Sequence, residues 1–402
     1  MAKIEIPTMN LADLPEILRL TRIPASQGGH LATLGEILQQ PSTWHMTAEQ
    51  MRLALPAMER QLADLEAIIL TGSGSSEYAG DCARPMLQRR LSITVQAIGS
   101  GTILTDGVDL LPATRPALMI SFARSGDSPE SVGALLKVTE MDPAIRQLVI
   151  TCNHEGQLAR RAQTDDRVEA IVLDERTNDR SLVMTSSFTN MVLAAIAFGW
   201  QQSPSEYVSF AEGLSASGED LLRQCFESLP EMAQLPFDRA FYLADASAFG
   251  AAREAALKMT EMTAGRVMTA SETYLGLRHG PMSAVHANTL IVCFLSSDQV
   301  RRQYECDLIE ELNEKQLGLR KILVGSDIPS SLLNGGDLAI EHAGFATAGD
   351  DGCAILHLLV GQVLAFYRCM KEGLHPDTPS ATGVINRVVQ QFRLHGVDTP
   401  PA

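Results

Sequence analysis

The chain has 402 residues, 45% of them hydrophobic, and a formal net charge of −16. That length predicts two or three domains, each able to bury a core of its own. The charge excludes a general nucleic-acid or anionic-membrane binder, because neither polyanion would be attracted overall; a local basic site for one small anion stays open.

The first residues, Met1-Ala-Lys-Ile-Glu-Ile, lack the apolar segment of a secretory signal. No uninterrupted apolar run approaches the roughly 20 residues of a membrane span. A soluble, cytoplasmic protein is expected. The seven cysteines (Cys82, Cys152, Cys225, Cys293, Cys306, Cys353 and Cys369) are scattered, with no C-x-x-C pair and no histidine spacing suited to zinc. They read as buried thiols in a reducing compartment, and no metal and no cofactor are expected.

Residues 1–50 read as a peripheral helical segment with breaks at Pro24, Gly28-Gly29 and Pro41. Strand and helix then alternate. Strands are predicted at 67–70, 93–98, 118–121, 147–151 and 170–173, with helices from Glu77, from Ser128 and over about 187–200. The order recurs with strands at 240–243, 289–295 and 321–324 and helices at 251–263, through 308–312 and at 353–367. Short apolar runs alternating with helices predict an α/β fold of doubly wound parallel sheets covered on both faces. Matching landmarks lie about 170 residues apart, the size of one compact domain, which points to an internal duplication. A link is expected at 201–218, where Ser, Pro and Gly accumulate. The expected division is a helical segment at 1–50, one α/β domain at 51–205, a second at 216–375 and a tail at 376–402.

The most informative run is Ala117-Leu-Met-Ile-Ser-Phe-Ala-Arg-Ser-Gly-Asp-Ser-Pro-Glu-Ser131. An apolar strand gives way to a loop of hydroxyls and Arg124, and a helix then starts with Ser128 as N-cap, Pro129 at its first position and Glu130 at the positive end of its dipole. N–H groups and hydroxyls, Ser125 and Ser128 among them, converge there where a phosphate would be held, with Arg124 as a charged clamp. A second hydroxyl loop, Thr71-Gly-Ser-Gly-Ser-Ser76, offers Ser75 and Ser76, and Thr185-Ser186-Ser187 is a third patch. Each alone is an ordinary capped helix. Three in one domain point to a ligand at the carboxyl ends of the strands. Gly72-Ser-Gly74 begins a dinucleotide pattern but Glu77 stands where its third glycine belongs, and no G-x-x-x-x-G-K-[ST] run occurs. The phosphate therefore fits a small metabolite better than a nucleotide.

In the second half, Arg253-Glu-Ala-Ala-Leu-Lys-Met-Thr-Glu-Met262 is a strong helix former that places Glu254, Lys258 and Glu261 on one stripe. Two readings stay open: a solvated stripe with a surface Glu254–Lys258 pair, or a carboxylate base at Glu261 steered by Lys258. Downstream, Arg278-His279 before Gly280-Pro281 reads as a turn presenting an imidazole beside a cation.

From about residue 40 onward the chain resembles proteins with two sugar isomerase (SIS) domains. Gly74-Ser-Ser76 and Ser125-Gly-Asp-Ser128 look like that family's phosphosugar loops. Leu257-Lys-Met-Thr-Glu261 and Arg278-His-Gly-Pro281 look like the catalytic helix and turn of the isomerase half of glucosamine-6-phosphate synthase. Ser121–Ser131 in the loop above, Ser181-Leu-Val-Met-Thr-Ser-Ser-Phe188 and Glu272-Thr-Tyr-Leu-Gly-Leu-Arg-His-Gly-Pro281 are closest to the bacterial galactosamine-6-phosphate deaminase/isomerase group, often labelled tagatose-6-phosphate ketose/aldose isomerase. The resemblance implies tandem doubly wound domains and a small phosphosugar substrate. It implies that Ser75, Ser76, Arg124, Ser125, Ser128, Thr185 and Ser186 bind phosphate and sugar hydroxyls. It further implies that His279 opens the ring, and that Glu261 moves a proton between C2 and C1 with Lys258 assisting. A homodimer or higher homo-oligomer with a shared active site follows, since the family's histidine can come from a neighbouring subunit. Two departures stand out. No glutaminase domain precedes the first half, and Asn386 stands about where the synthase tail carries its imine-forming lysine. The implied activity is amino-sugar phosphate deamination; the alternatives are aldose–ketose isomerisation without ammonia release and a non-catalytic phosphosugar sensor.

Overall fold

A computed structural model describes residues 28–380, 382–390 and 392–396. The helical expectation for 1–27, with its break at Pro24, lies outside the described residues, as does the tail beyond 396. The chain divides into two compact units. Of the described residues, the first comprises Thr43–Asp179, Ser186–Ala211 and those from Gly383 onward; the second comprises those up to Ser42, Arg180–Thr185 and Glu212–Thr382.

The first unit is built on five parallel strands, β1 (Ala67–Gly72), β2 (Thr94–Gly99), β3 (Ala117–Ala123), β4 (Ile145–Thr151) and β5 (Val168–Val172), in the order β2-β1-β3-β4-β5. β1 and β3 are buried along their whole length, which is why they read as continuous apolar runs rather than alternating ones. Beneath the helix Pro129–Met141, the buried Ile69, Met119, Leu135, Val138 and Val149 share one core. Each such side chain contributes about 1.5–3 kcal/mol relative to leaving it in water.

The second unit carries β6 (Arg239–Leu243), β7 (Met268–Glu272), β8 (Thr289–Phe294), β9 (Arg320–Gly325) and β10 (Leu338–Glu341) in the order β10-β9-β8-β6-β7. Read from its other edge, this is the strand order of the first sheet. The likeness extends to backbone detail. Gly74, at φ 59° and ψ −125°, caps the helix after β1, and Ala246, at φ 51° and ψ −128°, caps the helix after β6. Glycine adopts that conformation without penalty; alanine holds it only under local strain.

The boundary between the two units falls inside the expected link at 201–218, at Ala211/Glu212, but from Pro204 onward that span is not a loop: it belongs to a 31-residue helix, Pro204–Gln234. Pro204 sits at the first helical position, where proline is favoured, and the buried Tyr207, Ala211, Leu214, Leu221, Leu222 and Cys225 override the weak propensity of the intervening Ser and Gly. The expected break at Pro41 is present: the helix Leu31–Leu38 ends just before it, and Pro41 lies in the first turn of the next helix, Gln40–Ala57, where its missing N–H is harmless.

The helix Gly344–Lys371, with a mean hydropathy of 1.6 over its most apolar window, is long and apolar enough to cross a membrane by length and composition, although His357, Gln362 and Arg368 interrupt the run. That window is 94% buried inside the protein. This is a core helix. Its His357 stacks between Phe294 and Phe345 at 4.7 and 4.8 Å, and burial takes the imidazole down to about 3, so it is neutral. Gly361 lets the helix seat against Ala255, whose Cβ would lie 2.6 Å from any side chain there. All seven cysteines are free and only Cys306 is partly exposed; burial pushes Cys152 up to about 12, which makes it an inert thiol.

Candidate active site

The hydroxyl loops of the first unit leave the same edge of its sheet. β1 and β3 are neighbours, with Thr71 opposite Ser121, and the strand order reverses between them. Ligands bind at such a switch point in doubly wound sheets. Ser75 and Ser76 open the helix Ser75–Leu91 and are buried, while Ser73 Oγ lies 3.1 Å from Ser131 Oγ in the first turn of the helix Pro129–Met141. One hydroxyl pair therefore joins the two loops. Ser128 is the N-cap of that second helix, as its sequence predicts, with extended φ and ψ and Pro129 just behind it.

Arg124 and Ser125 are both buried at the end of β3. The loop that carries them is braced by the loop after β4: Asn153 Nδ2 donates to the Ser125 carbonyl at 2.8 Å, and the Asp127 carboxylate accepts from Gln157 N at 3.0 Å. Gly156 permits this closeness, since a Cβ there would lie 2.2 Å from the Ser125 carbonyl oxygen. The brace fixes the backbone of the loop that carries Arg124 and Ser125.

The third patch, Thr185-Ser186-Ser187, lies where the two units meet in the sequence. Thr185 falls in the second unit and Ser186 in the first. Thr185 is buried, and its carbonyl accepts from Gln362 Nε2 at 3.4 Å. Ser186 and Ser187 start the helix Ser186–Ile196, and both hydroxyls donate to the buried carboxylate of Asp179, as does Ser187 N at 2.9 Å. Asp179 thus neutralises the helix N-terminus from seven residues away, and the Ser186 hydroxyl donates to it. No local capping rule reaches that far back, so Asp179 carries no signal in the sequence.

In the second unit the helix Ser247–Met262 puts Glu254, Lys258 and Glu261 on one face. The solvated-stripe reading is excluded: the side chains of Glu254 and Lys258 are completely buried. Lys258 Nζ lies 3.1 Å from Glu254 Oε1 and 2.6 Å from Glu261 Oε2, and the Glu261 side chain keeps 22% of its surface exposed. Burial works against the Lys258 charge, but the two carboxylates outweigh it and hold the ammonium pKa above the ordinary lysine value. A permanent cation thus orients one carboxylate that solvent can still reach. Such a group can take and return a proton.

His279 is exposed, in the turn after the short helix Tyr274–Leu277, and its N–H donates to Gly276 O at 2.9 Å. Arg278 Nε is paired with Glu311 Oε2 at 2.7 Å on the helix Gln299–Glu314.

The SIS domain family matches residues 61–199. D-galactosamine-6-phosphate deaminase AgaS of Escherichia coli is 32% identical over 385 residues, covering 92% of this chain and 97% of that protein. The chain belongs to the SIS domain family. A second AgaS, from Shewanella sp. (strain ANA-3), is 32% identical over 387 residues, 94% of this chain and 95% of its own. Among solved structures, the tagatose-6-phosphate ketose/aldose isomerase of Escherichia coli is similar with a TM-score of 0.78 and 32% identity, covering 88% of this chain and 96% of that one. The span matched to the SIS domain holds Ser75, Ser76, Arg124, Ser125, Ser128, Thr185 and Ser186, whereas Lys258, Glu261 and His279 lie outside it. The second sheet nevertheless repeats the SIS strand order.

Proposed function

We propose that this protein is an amino-sugar phosphate deaminase/isomerase that converts galactosamine 6-phosphate and water to tagatose 6-phosphate and ammonia. The observation that carries the reading is the Glu261 carboxylate, held 2.6 Å from a wholly buried Lys258 in a chain that matches the AgaS deaminases almost end to end.

The roles follow from the chemistry of each group. Arg124, with Ser75, Ser76, Ser125 and Ser128, binds the phosphate and sugar hydroxyls. Thr185 and Ser186 complete the set that binds the phosphate and sugar hydroxyls. His279 protonates the ring oxygen so that the pyranose opens to an aldehyde. Glu261 removes the C2 proton, and the electron pair moves to make the C1–C2 enolamine. Returning the proton to C1 leaves a C2 iminium. Water adds to C2, ammonia departs, and a C2 ketone remains, so the sequence is balanced with no oxidant or reductant. The amino group comes with the substrate, so no enzyme lysine is needed at Asn386. A homodimer or larger assembly belongs to this reading through the exposed His279; sedimentation analysis would test it.

The similarity to a tagatose-6-phosphate ketose/aldose isomerase keeps a second reading in view, in which the same proton transfer acts on a sugar without nitrogen. A non-catalytic sensor is disfavoured, since the relatives are named as enzymes and Glu261, Lys258 and His279 are all present. Coupled detection of ammonia and ketose phosphate separates these readings.

A further inference from the structure

We infer that Arg387, on the C-terminal tail, is a positioning residue for the anion site: it links the Arg124 side chain to the Asn178-Asp179 turn and so sets affinity for the phosphate end of the substrate. The inference rests on the reading that Arg124 grips that phosphate. Arg124 Nη2 donates to the Arg387 carbonyl at 2.5 Å. In the other direction, Arg387 Nε donates to the Asp179 carbonyl at 2.7 Å, and its Nη2 donates to Asn178 Oδ1 at 2.5 Å. Asp179 then holds Ser186 and Ser187 through its carboxylate. Arg124, Arg387, Asp179 and the start of the helix Ser186–Ile196 therefore form one hydrogen-bonded chain within the first unit.

The tail is further engaged beyond Arg387. A Cβ on Gly133 would come within 2.9 Å of Leu394 Cδ1, so the tail runs against the helix Pro129–Met141, whose N-cap is Ser128. The stretch that includes Val384 (83% exposed) and Val389 (48% exposed) forms neither helix nor strand. The bonds of the Arg387 side chain to Asn178 and the Asp179 carbonyl hold its own carbonyl in front of Arg124. A guanidinium fork with one donor direction anchored has fewer orientations to lose when an anion arrives.

Isothermal titration with inorganic phosphate reads the site without turnover. Arg387→Ala should weaken phosphate about tenfold, the scale of one charge-assisted hydrogen bond, and should weaken it no further in an Arg124→Ala background. Asn178→Ala, which leaves the tail untouched, should give a smaller loss in the same direction, and circular dichroism checks that each variant is folded. With galactosamine 6-phosphate, Arg387→Ala should raise KM and leave kcat within about twofold. An Arg387→Ala titration that overlays the parent, or losses that add fully with Arg124→Ala, would overturn the inference. If Arg124→Ala itself binds phosphate like the parent, the anion site proposed above is wrong and this inference falls with it. The two failures therefore look different.

Discussion

Lys258 Nζ stands 2.6 Å from Glu261 Oε2, one turn along the same helix, with its other side against Glu254. The lysine is enclosed and Glu261 is not, so the pair presents a single reachable carboxylate in a fixed orientation. Glu261→Gln keeps the shape and the hydrogen-bonding reach but cannot accept a proton. It should lower kcat by about 10²-fold or more while phosphosugar binding is retained. Turnover close to that of the parent would remove Glu261 from the role of base.

Removing the lysine should act on stability first. Lys258→Met would leave Glu254 buried with its counter-charge gone, a change that typically costs about 3–5 kcal/mol. A clear drop in melting temperature is expected, and adding Glu254→Leu should recover part of it. A Lys258→Met protein as stable as the parent would mean that water reaches this helix face.

Arg124→Ala should raise KM roughly 10- to 150-fold with little change in kcat, the range expected for losing a hydrogen bond to a charged group, about 1.5–3 kcal/mol. Steady-state kinetics with inorganic phosphate as a competitive inhibitor would show the same factor in its inhibition constant. An unchanged KM would place Arg124 outside the phosphate site.

Glu305 gives the second unit a pH dependence. Its carboxylate accepts from Ser296 N at 2.8 Å and from the Ser296 hydroxyl, just after β8, a place equivalent to the Arg124–Ser128 loop after β3 in the first unit. Burial raises this carboxyl from 4.5 to about 7, against the Ser296 donors and Arg302. Because the folded pKa is the higher one, the protonated form stabilises the fold, and that contribution is fully present below about 4.5 and lost as pH rises through about 7. The loss amounts to about 3 kcal/mol at most. Denaturation of Glu305→Gln and the parent at pH 5 and pH 8 should show the variant gaining relative to the parent at the higher pH. A constant difference would contradict this.

Most of the sheet architecture is visible in the residues because central parallel strands are buried on both faces: β1, β3 and β8 announce themselves as apolar runs, and β9 as Ile322-Leu-Val324 after Arg320-Lys321. β7 and β10 escape notice for the converse reason. Each is an edge strand with partly exposed side chains, and Met268-Thr-Ala-Ser-Glu272 looks like a loop. The helix Pro204–Gln234 is hidden by its own Ser and Gly content, which burial overrides. In the candidate site, Ser128 and the stripe of Glu254, Lys258 and Glu261 are legible because caps and helical spacing are local rules. Asp179 and Arg387 are not, since their contacts join segments about 200 residues apart that no local pattern relates.

The central claim is that nitrogen leaves the sugar. Purified protein should be given galactosamine 6-phosphate and glucosamine 6-phosphate, with ammonia and ketose phosphate followed together. One ammonia is expected for each ketose phosphate formed from galactosamine 6-phosphate, with both products formed about 10²-fold or more slowly by the Glu261→Gln variant. Absence of ammonia from both amino sugars, with tagatose 6-phosphate interconverted with its aldose, would contradict it.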